Sequence, residues 1–192
     1  MQAWYCETLT GHADLKWKDV PTPEPGAGEV RIAIRAASLN FPDILIVQGK
    51  YQAKPELPFV PGSEYAGVVE ALGEGVTNLK VGDAVAAMGS TGGFATHALA
   101  PAKQVLKLPP GFALEDAAAF ALTYGTTHHA LVDRAALKAG ETVLVLGAAG
   151  GVGSSAIQVA KAVGAKVIAA ASTDEKCAFC RELGADATIN YA

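Results

Sequence analysis

The segment ETVLVLGAAGGVG at residues 141–153 constrains the fold of this 192-residue chain more than any other stretch. Its first six residues are a short apolar run of the kind that forms a buried strand, and the glycine-rich turn after them opens into SSAIQVAKAV, an Ala/Val-rich helix that Gly164 ends. Residues 166–171, KVIAAA, make a second apolar strand, so the region reads as a βαβ unit and the beginning of a doubly wound parallel sheet. A third helical stretch to Leu183 and a short strand at 187–191 follow, and then the sequence stops. Sheets of this type have about six strands, so half of the expected domain is missing and the chain is expected to be part of a longer one.

The turn itself carries chemistry. Ala148, Gly150 and Gly153 hold the three positions of a GxGxxG pattern, with alanine at the first. A missing side chain at Gly150 lets the backbone approach a pyrophosphate, and one at Gly153 lets the helix pack closely on the strand. The helix beginning near Val152 then offers unpaired N–H groups and a positive dipole end to the anion. Ala149, Gly150, Gly151, Val152 and Gly153 are therefore candidate dinucleotide-binding residues. The end of the second strand, where an NAD site carries an Asp or Glu for the ribose 2′-OH, reads Ala170-Ala171-Ser172-Thr173. No carboxylate opposes a 2′-phosphate there, Ser172 and Thr173 supply hydroxyls, and Lys176 supplies a charge one turn on, which favours NADPH over NADH. The plainer alternative is that Lys176 is a solvated helix charge and Asp174 weakens the site.

The first part of the chain has a different texture. Residues 29–37, EVRIAIRAA, alternate with Val30, Ile32, Ile34 and Ala36 on one side and Arg31 and Arg35 on the other, the pattern of a half-buried strand. Further β-rich stretches at 65–72, 83–88 and 94–99 lie between glycine-containing turns and suggest a small barrel or sandwich. After Pro109-Pro110-Gly111, residues 114–120 and 127–137 are Ala-rich and free of glycine and read as helices, with a boundary near residue 122. The formal charge of −4 is spread among interspersed acids and bases, which removes the footprint of a general nucleic-acid binder. No apolar run approaches the roughly 20 residues that span a bilayer, and residues 1–6 lack an apolar signal core, so a cytoplasmic protein is expected. Cys177 and Cys180 form a CxxC, but with no second pair and no nearby histidine they read as ordinary helix residues.

These residues, with AASLNFPDILIVQGKY at 36–51, PFVPGSEYAGVVEALGEGV at 58–76, VGDAV at 81–85, GGFATHALAP at 92–101 and LTYGTTHHAL at 122–131, cover essentially all of the chain. Together they resemble the zinc-independent, zeta-crystallin-like quinone oxidoreductase branch of the medium-chain dehydrogenase/reductase superfamily. The resemblance implies an α/β protein: a GroES-like, β-rich catalytic domain at 1–122, incomplete, followed at 123–192 by the N-terminal part of an NADP-binding Rossmann domain. It implies that the active site lies in a cleft between the two. It further implies that Asn40 lies near the nicotinamide ribose, that Thr126 and His129 line the cofactor cleft, that Tyr191 joins Ser172 and Lys176 around the 2′-phosphate, and that Tyr51 sits near the substrate. Zinc-dependent members of the superfamily carry a Cys near the position of Asn40 and a His at that of Ser63. Those ligands are absent here, as is a four-cysteine zinc lobe, since no Cys occurs between Cys6 and Cys177. His12, His97, His128 and His129 have no metal-ligand spacing among themselves.

Without a metal to polarise an alcohol, the resemblance implies hydride transfer from NADPH to an electron-poor small molecule such as a quinone, with the protein supplying position and electrostatics. Asn40, Tyr51, Thr126 and His129 are the candidates for orienting the nicotinamide or donating a hydrogen bond to the acceptor, and none is cast as an essential general acid. Asp43, at a helix start, has the simpler role of favourable charge near an N-terminus. Two alternatives stand beside this reading: a 2-enoyl thioester or alkenal reductase with the same cofactor site, and a crystallin-like structural protein that binds NADPH. Relatives of this kind often form homodimers through strands that would follow Ala192.

Overall fold

The computed structural model describes residues 1–192, which divide into two compact units, Met1–Ala121 and Leu122–Ala192. The first opens with an antiparallel pair, β1 (Gln2–Tyr5) and β2 (Lys16–Asp19), in which Trp4 lies opposite Trp17 with ring centroids 5.4 Å apart. Five further strands follow: β3 (Glu29–Ala37), β4 (Glu64–Leu72), β5 (Ala84–Met88), β6 (His97–Pro101) and β7 (Val105–Lys107). They form one antiparallel sheet in the order β6-β3-β4-β5-β7. The alternation in β3 does what its sequence implies. Val30 and Ile32 are fully buried, Ile34 packs half-buried on the same cluster, and Arg31 turns outward to Glu24 and Glu70. Each such Val or Ile contributes about 1.5–3 kcal/mol through the apolar area it removes from water. Two register shifts between β3 and β4, at Arg31/Ile32 and Ile34/Ala36, interrupt the ladder, the kind of irregularity that bends a sheet. On the opposite face, Ala66 and Ala86 pack with Ala117 and Ala118 at the end of the short helix α2 (Leu114–Ala117). A seven-residue helix α1 (Phe41–Val47) follows β3.

The second unit runs from α3 (Ala121–His128) through a π-helical segment His129–Arg134 into β8 (Thr142–Leu146), α4 (Gly151–Val163), β9 (Lys166–Ala171), α5 (Asp174–Glu182) and β10 (Ala187–Asn190). The three strands are parallel in the order β10-β9-β8. A β-rich unit followed by a partial doubly wound parallel sheet is the α/β architecture expected from the sequence. Its core joins Val145, Val167 and Ala169 from the sheet to Ile157 and Ala160 of α4 and to Cys177 and Cys180 of α5. Both thiols are therefore core groups, and burial pushes that of Cys180 up.

Two local expectations change. The run at 141–146 is not buried throughout by residues 1–192: Val145 faces the core, while Leu144 and Leu146 lie on the face of the sheet that these residues leave uncovered. The helix expected at 127–137 begins earlier, at Ala121, and continues through Gly125. A β-carbon at Gly125 would meet nothing within 4 Å, so the glycine costs only its helix propensity, about 1 kcal/mol.

Asp186, just before β10, locks this unit together. Its Oδ2 accepts from the Val167 backbone N–H at 2.7 Å, and Lys161 Nζ reaches both carboxylate oxygens at 2.9 Å. The Lys161 ammonium, then the Val167 amide, hold this carboxyl below the ordinary aspartate range. A depressed carboxyl contributes stability that is present above its unfolded pKa, about 3.9, and is lost as pH falls through the lower folded value. Asp186→Asn is therefore expected to melt below the parent chain at pH 7, and the gap is expected to shrink progressively as pH falls below the ordinary aspartate value of about 3.9, as read by thermal melts across that range.

Candidate functional site

The turn between β8 and α4 is fixed at both ends by backbone contacts. Ala148 N–H donates to Ala170 O at 3.0 Å, stitching the turn to the end of β9, and Gly150 N–H donates to Gly147 O at 3.0 Å. The two glycines of the motif have different duties. A β-carbon on Gly153 would lie 2.5 Å from Gly147 O and 2.7 Å from Ala148 Cα, so helix and strand approach as closely as they do only because it is absent. Gly150 has an ordinary φ of −81°, and a β-carbon there would meet only Gly147 O at 3.4 Å. Packing makes little demand for glycine at 150, which leaves the open side of the turn as the reason for it. The first turn of α4, Gly151, Val152 and Gly153, has N–H groups with no intrahelical partner and carries the positive end of the helix dipole.

Beside this turn lies a cavity of about 150 Å³ lined by Gly147, Ala149, Gly150, Ala171, Ser172, Lys176 and Tyr191. It sits at the carboxyl ends of β8, β9 and β10, where open α/β sheets hold ligands. Lys176 is delivered by α5, whose N-cap Thr173 accepts the Lys176 backbone N–H at 3.2 Å, and its Nζ donates to Ser172 Oγ at 3.1 Å. Tyr191 is delivered by β10, its N–H donating to Ala171 O at 3.1 Å. Asp174, the nearest acid to this corner in the sequence, accepts from Asn190 Nδ2 at 2.8 Å and is not part of the lining. The lining thus holds a cation, a hydroxyl, a phenol and exposed backbone with no carboxylate, which suits an anion. Its volume is below the roughly 300–1,000 Å³ of a pocket that encloses a drug-sized ligand, so it accommodates one end of a longer molecule.

Behind the turn are two residues that sequence reasoning passed over. Thr127 and Ser155 are buried with their hydroxyls 2.6 Å apart, and both reach Val152 O and Thr123 O. Their neighbour Thr126 is exposed on α3, and His129 is exposed with Nδ1 3.1 Å from Asp133 Oδ2. The only signal for Thr127 was a second hydroxyl in the Thr126-Thr127 pair, and which of the two faces inward depends on the helix phase.

In the first unit, Asn40 precedes α1 as its N-cap. Its backbone N–H donates to Asp43 Oδ2 at 2.8 Å, and its Nδ2 donates to Ser38 Oγ at 2.9 Å and to Glu64 Oε2 at 3.2 Å. Ser63 Oγ donates to Asp43 Oδ1 at 2.8 Å, and Ser38 Oγ to Glu64 Oε2 at 2.7 Å. Asp43 and Glu64 are both buried, so Asp43 is an internal acceptor in addition to lying in the first turn of a helix. Tyr51 packs half-buried against Cys6, Ile46, Val47 and Phe59. Tyr65 is a core group whose phenol burial pushes up to about 12. No group of three or more His, Cys, Asp or Glu side chains converges as metal ligands do. The larger groove of this unit, about 550 Å³ and mostly apolar, is lined by Trp4, Trp17 and Phe94 among others and contains none of the candidate residues.

Residues 26–110 match the alcohol dehydrogenase GroES-like domain, and residues 151–192 match the zinc-binding dehydrogenase family. The chain is 45% identical over 172 residues to a quinone oxidoreductase-like protein 2 homolog of Nematostella vectensis, covering 88% of this chain and 47% of that protein. Among solved structures, a probable oxidoreductase from Mycobacterium abscessus superposes with a TM-score of 0.94 at 42% identity over 100% of this chain and 62% of its own. The quinone oxidoreductase of Thermus thermophilus, solved also in complex with NADPH, superposes with a TM-score of 0.88 at 40% identity over 100% of this chain and 60% of its own. The chain spans about half the length of the curated relatives it matches.

The contrast between the two glycines is testable. Gly153→Ala is expected to lower the melting temperature by several degrees, since overpacking costs about 1–3 kcal/mol. Gly150→Ala is expected to leave it within about a degree or two while filling the mouth of the cavity. Calorimetry on both variants would read the difference.

Proposed function

We propose that this chain, which belongs to the medium-chain dehydrogenase/reductase superfamily, binds NADPH at the carboxyl ends of β8, β9 and β10 and works in the zinc-independent reduction of a quinone. The observation that carries the reading is the lining of the 150 Å³ cavity: an open glycine turn on one side, Ser172, Lys176 and Tyr191 on the other, and no acid between them. The N–H groups of Gly151, Val152 and Gly153 suit a pyrophosphate, with Ala149 and Gly150 giving it room. Lys176 and Ser172, already bonded to each other at 3.1 Å, suit a 2′-phosphate that both would donate to. An aspartate or glutamate at Ser172 would instead select the free ribose hydroxyl and repel that phosphate.

NADPH bound there supplies the hydride, and an electron-poor small molecule such as a quinone takes it. Asn40, Tyr51, Thr126 and His129 are the groups assigned to the nicotinamide and the acceptor. Asn40 suits an orienting role because its backbone and its amide nitrogen are each held by buried carboxylates, which fixes the side chain in advance. The donor chemistry at Asn40 and Ser63 favours a reaction without zinc. An amide and a hydroxyl stand there, and both are committed to hydrogen bonds with Glu64 and Asp43.

Titrating the chain with NADPH and with NADH at fixed salt, by nucleotide fluorescence, tests the cofactor assignment. NADPH is expected to bind roughly 10-fold tighter or more, the worth of a charge-assisted hydrogen bond. Lys176→Ala is expected to remove most of that preference and leave NADH binding unchanged. Equal affinities in the parent chain, or an unaltered preference in the variant, would contradict it. Turnover of 1,2-naphthoquinone against crotonyl-CoA, in a chain of the relatives' full length, tests the acceptor class.

A further inference from the structure

Gly150 caps α4 and Gly151 and Gly153 lie in its first turn, so the stretch meant to face an anion carries three residues of high conformational freedom, and its geometry is held from two sides. On the strand side the holding is done by the contact of Gly153 with Gly147 and Ala148. On the opposite side it is done by hydroxyls. Ser155 Oγ lies 2.9 Å from Val152 O and Thr127 Oγ1 3.3 Å from the same oxygen, and the two hydroxyls are 2.6 Å apart. Thr123 O lies 2.8 Å from Thr127 Oγ1 and 3.2 Å from Ser155 Oγ; each hydroxyl has one proton, so one proton joins the pair and the other goes to Val152 O or Thr123 O, tying α3 to α4.

The carbonyl they reach belongs to the first turn of α4. Val152 C=O and Gly153 N–H lie in one rigid peptide plane, so fixing the direction of the oxygen fixes the direction of the N–H. Thr127 and Ser155 are 2% and 1% exposed, in a region otherwise packed with alanine and valine, where Val and Ala would fill the same space without needing any partner. A buried hydroxyl pair that joins α3 to the first turn of α4 serves orientation better than it serves packing.

We infer that Thr127 and Ser155 are positioning residues for the pyrophosphate-facing turn of α4, setting the affinity for dinucleotides without touching them; this rests on the nucleotide-binding reading above. The pair presets the Gly153 amide, so that binding does not have to order it. Its effect belongs to the pyrophosphate and is separate from that of Ser172 and Lys176, which concerns the 2′-phosphate end.

The test compares the parent chain with Thr127→Val, Ser155→Ala, the double variant and Thr127→Ser. The readouts are affinities for NADPH, NADH and 2′-AMP, which lacks the pyrophosphate, and amide hydrogen exchange at Gly153 in the nucleotide-free chain. The double variant is expected to bind NADPH and NADH roughly 5- to 10-fold more weakly, the equivalent of one neutral hydrogen bond. It should bind 2′-AMP unchanged and exchange faster at Gly153. Each single variant should already show most of that loss, because the hydroxyls act as a unit, and Thr127→Ser should recover parent behaviour. A double variant that melts lower but binds both dinucleotides as the parent does would make the pair merely structural and overturn the inference, as would an equal loss of 2′-AMP. If the parent chain bound none of the three nucleotides, the nucleotide-binding reading would fall and take the inference with it.

Discussion

In the second unit Gly153 passes over the carbonyl of Gly147 with no room for a methyl group, and this close approach is the constraint on which the rest of that unit depends. It sets the distance between α4 and β8, and thereby where the N-terminal end of α4 lies against the strand ends. From it follows the position of Ile157 and Ala160 over Val145, Val167 and Ala169, the core that holds the parallel sheet. The same approach leaves the turn beside Gly150 open, so one packing requirement produces both a stable helix–strand junction and an unobstructed row of amides. Ser172, Lys176 and Tyr191 arrive at that opening from the next two strands and the helix between them. The cavity is a consequence of parallel topology, which brings every strand's carboxyl end to one edge.

The first unit solves a different problem. It buries two carboxylates, Asp43 in the first turn of α1 and Glu64 at the head of β4. An unbonded carboxylate there would be costly, and both are answered by nearby neutral donors, the hydroxyls of Ser38 and Ser63 and the amides of Asn40. Asn40 is the residue these bonds share, held through its backbone and its side chain at once. Rigid support of a polar side chain by buried acceptors is the arrangement that an orienting residue needs. That is why the assignment of Asn40 has a basis in local structure as well as in resemblance.

Much of this was legible in the sequence because it rests on local patterns. The alternation of β3, the apolar strand β9 and the order strand, glycine turn, helix are short-range signals, and Ser172 and Lys176 follow directly from the end of β9, whereas Tyr191 came only from the family resemblance. What was illegible depends on tertiary partners. The strands β1, β2 and β7 are three or four residues long, too short for periodicity to register. The start of α3 was hidden from the residue pattern by Gly125 and came only from the resemblance of LTYGTTHHAL at 122–131 to a family helix start; the cost of that glycine is offset once Thr127 bonds to Ser155 on another helix. The choice between Thr126 and Thr127 as the inward residue is a matter of helix phase, which two adjacent threonines do not reveal.

The central claim is that a dinucleotide lies on the glycine turn with its 2′-phosphate between Ser172 and Lys176. The most direct measurement is a map of backbone amide chemical shifts on adding NADPH to the isotopically labelled chain. The largest changes are expected at Gly150, Gly151, Val152 and Gly153 and at Ser172, Lys176 and Tyr191, with the second group silent when NADPH is replaced by NADH. Shifts confined to the apolar groove around Trp4 and Trp17, with the glycine turn unmoved, would contradict it.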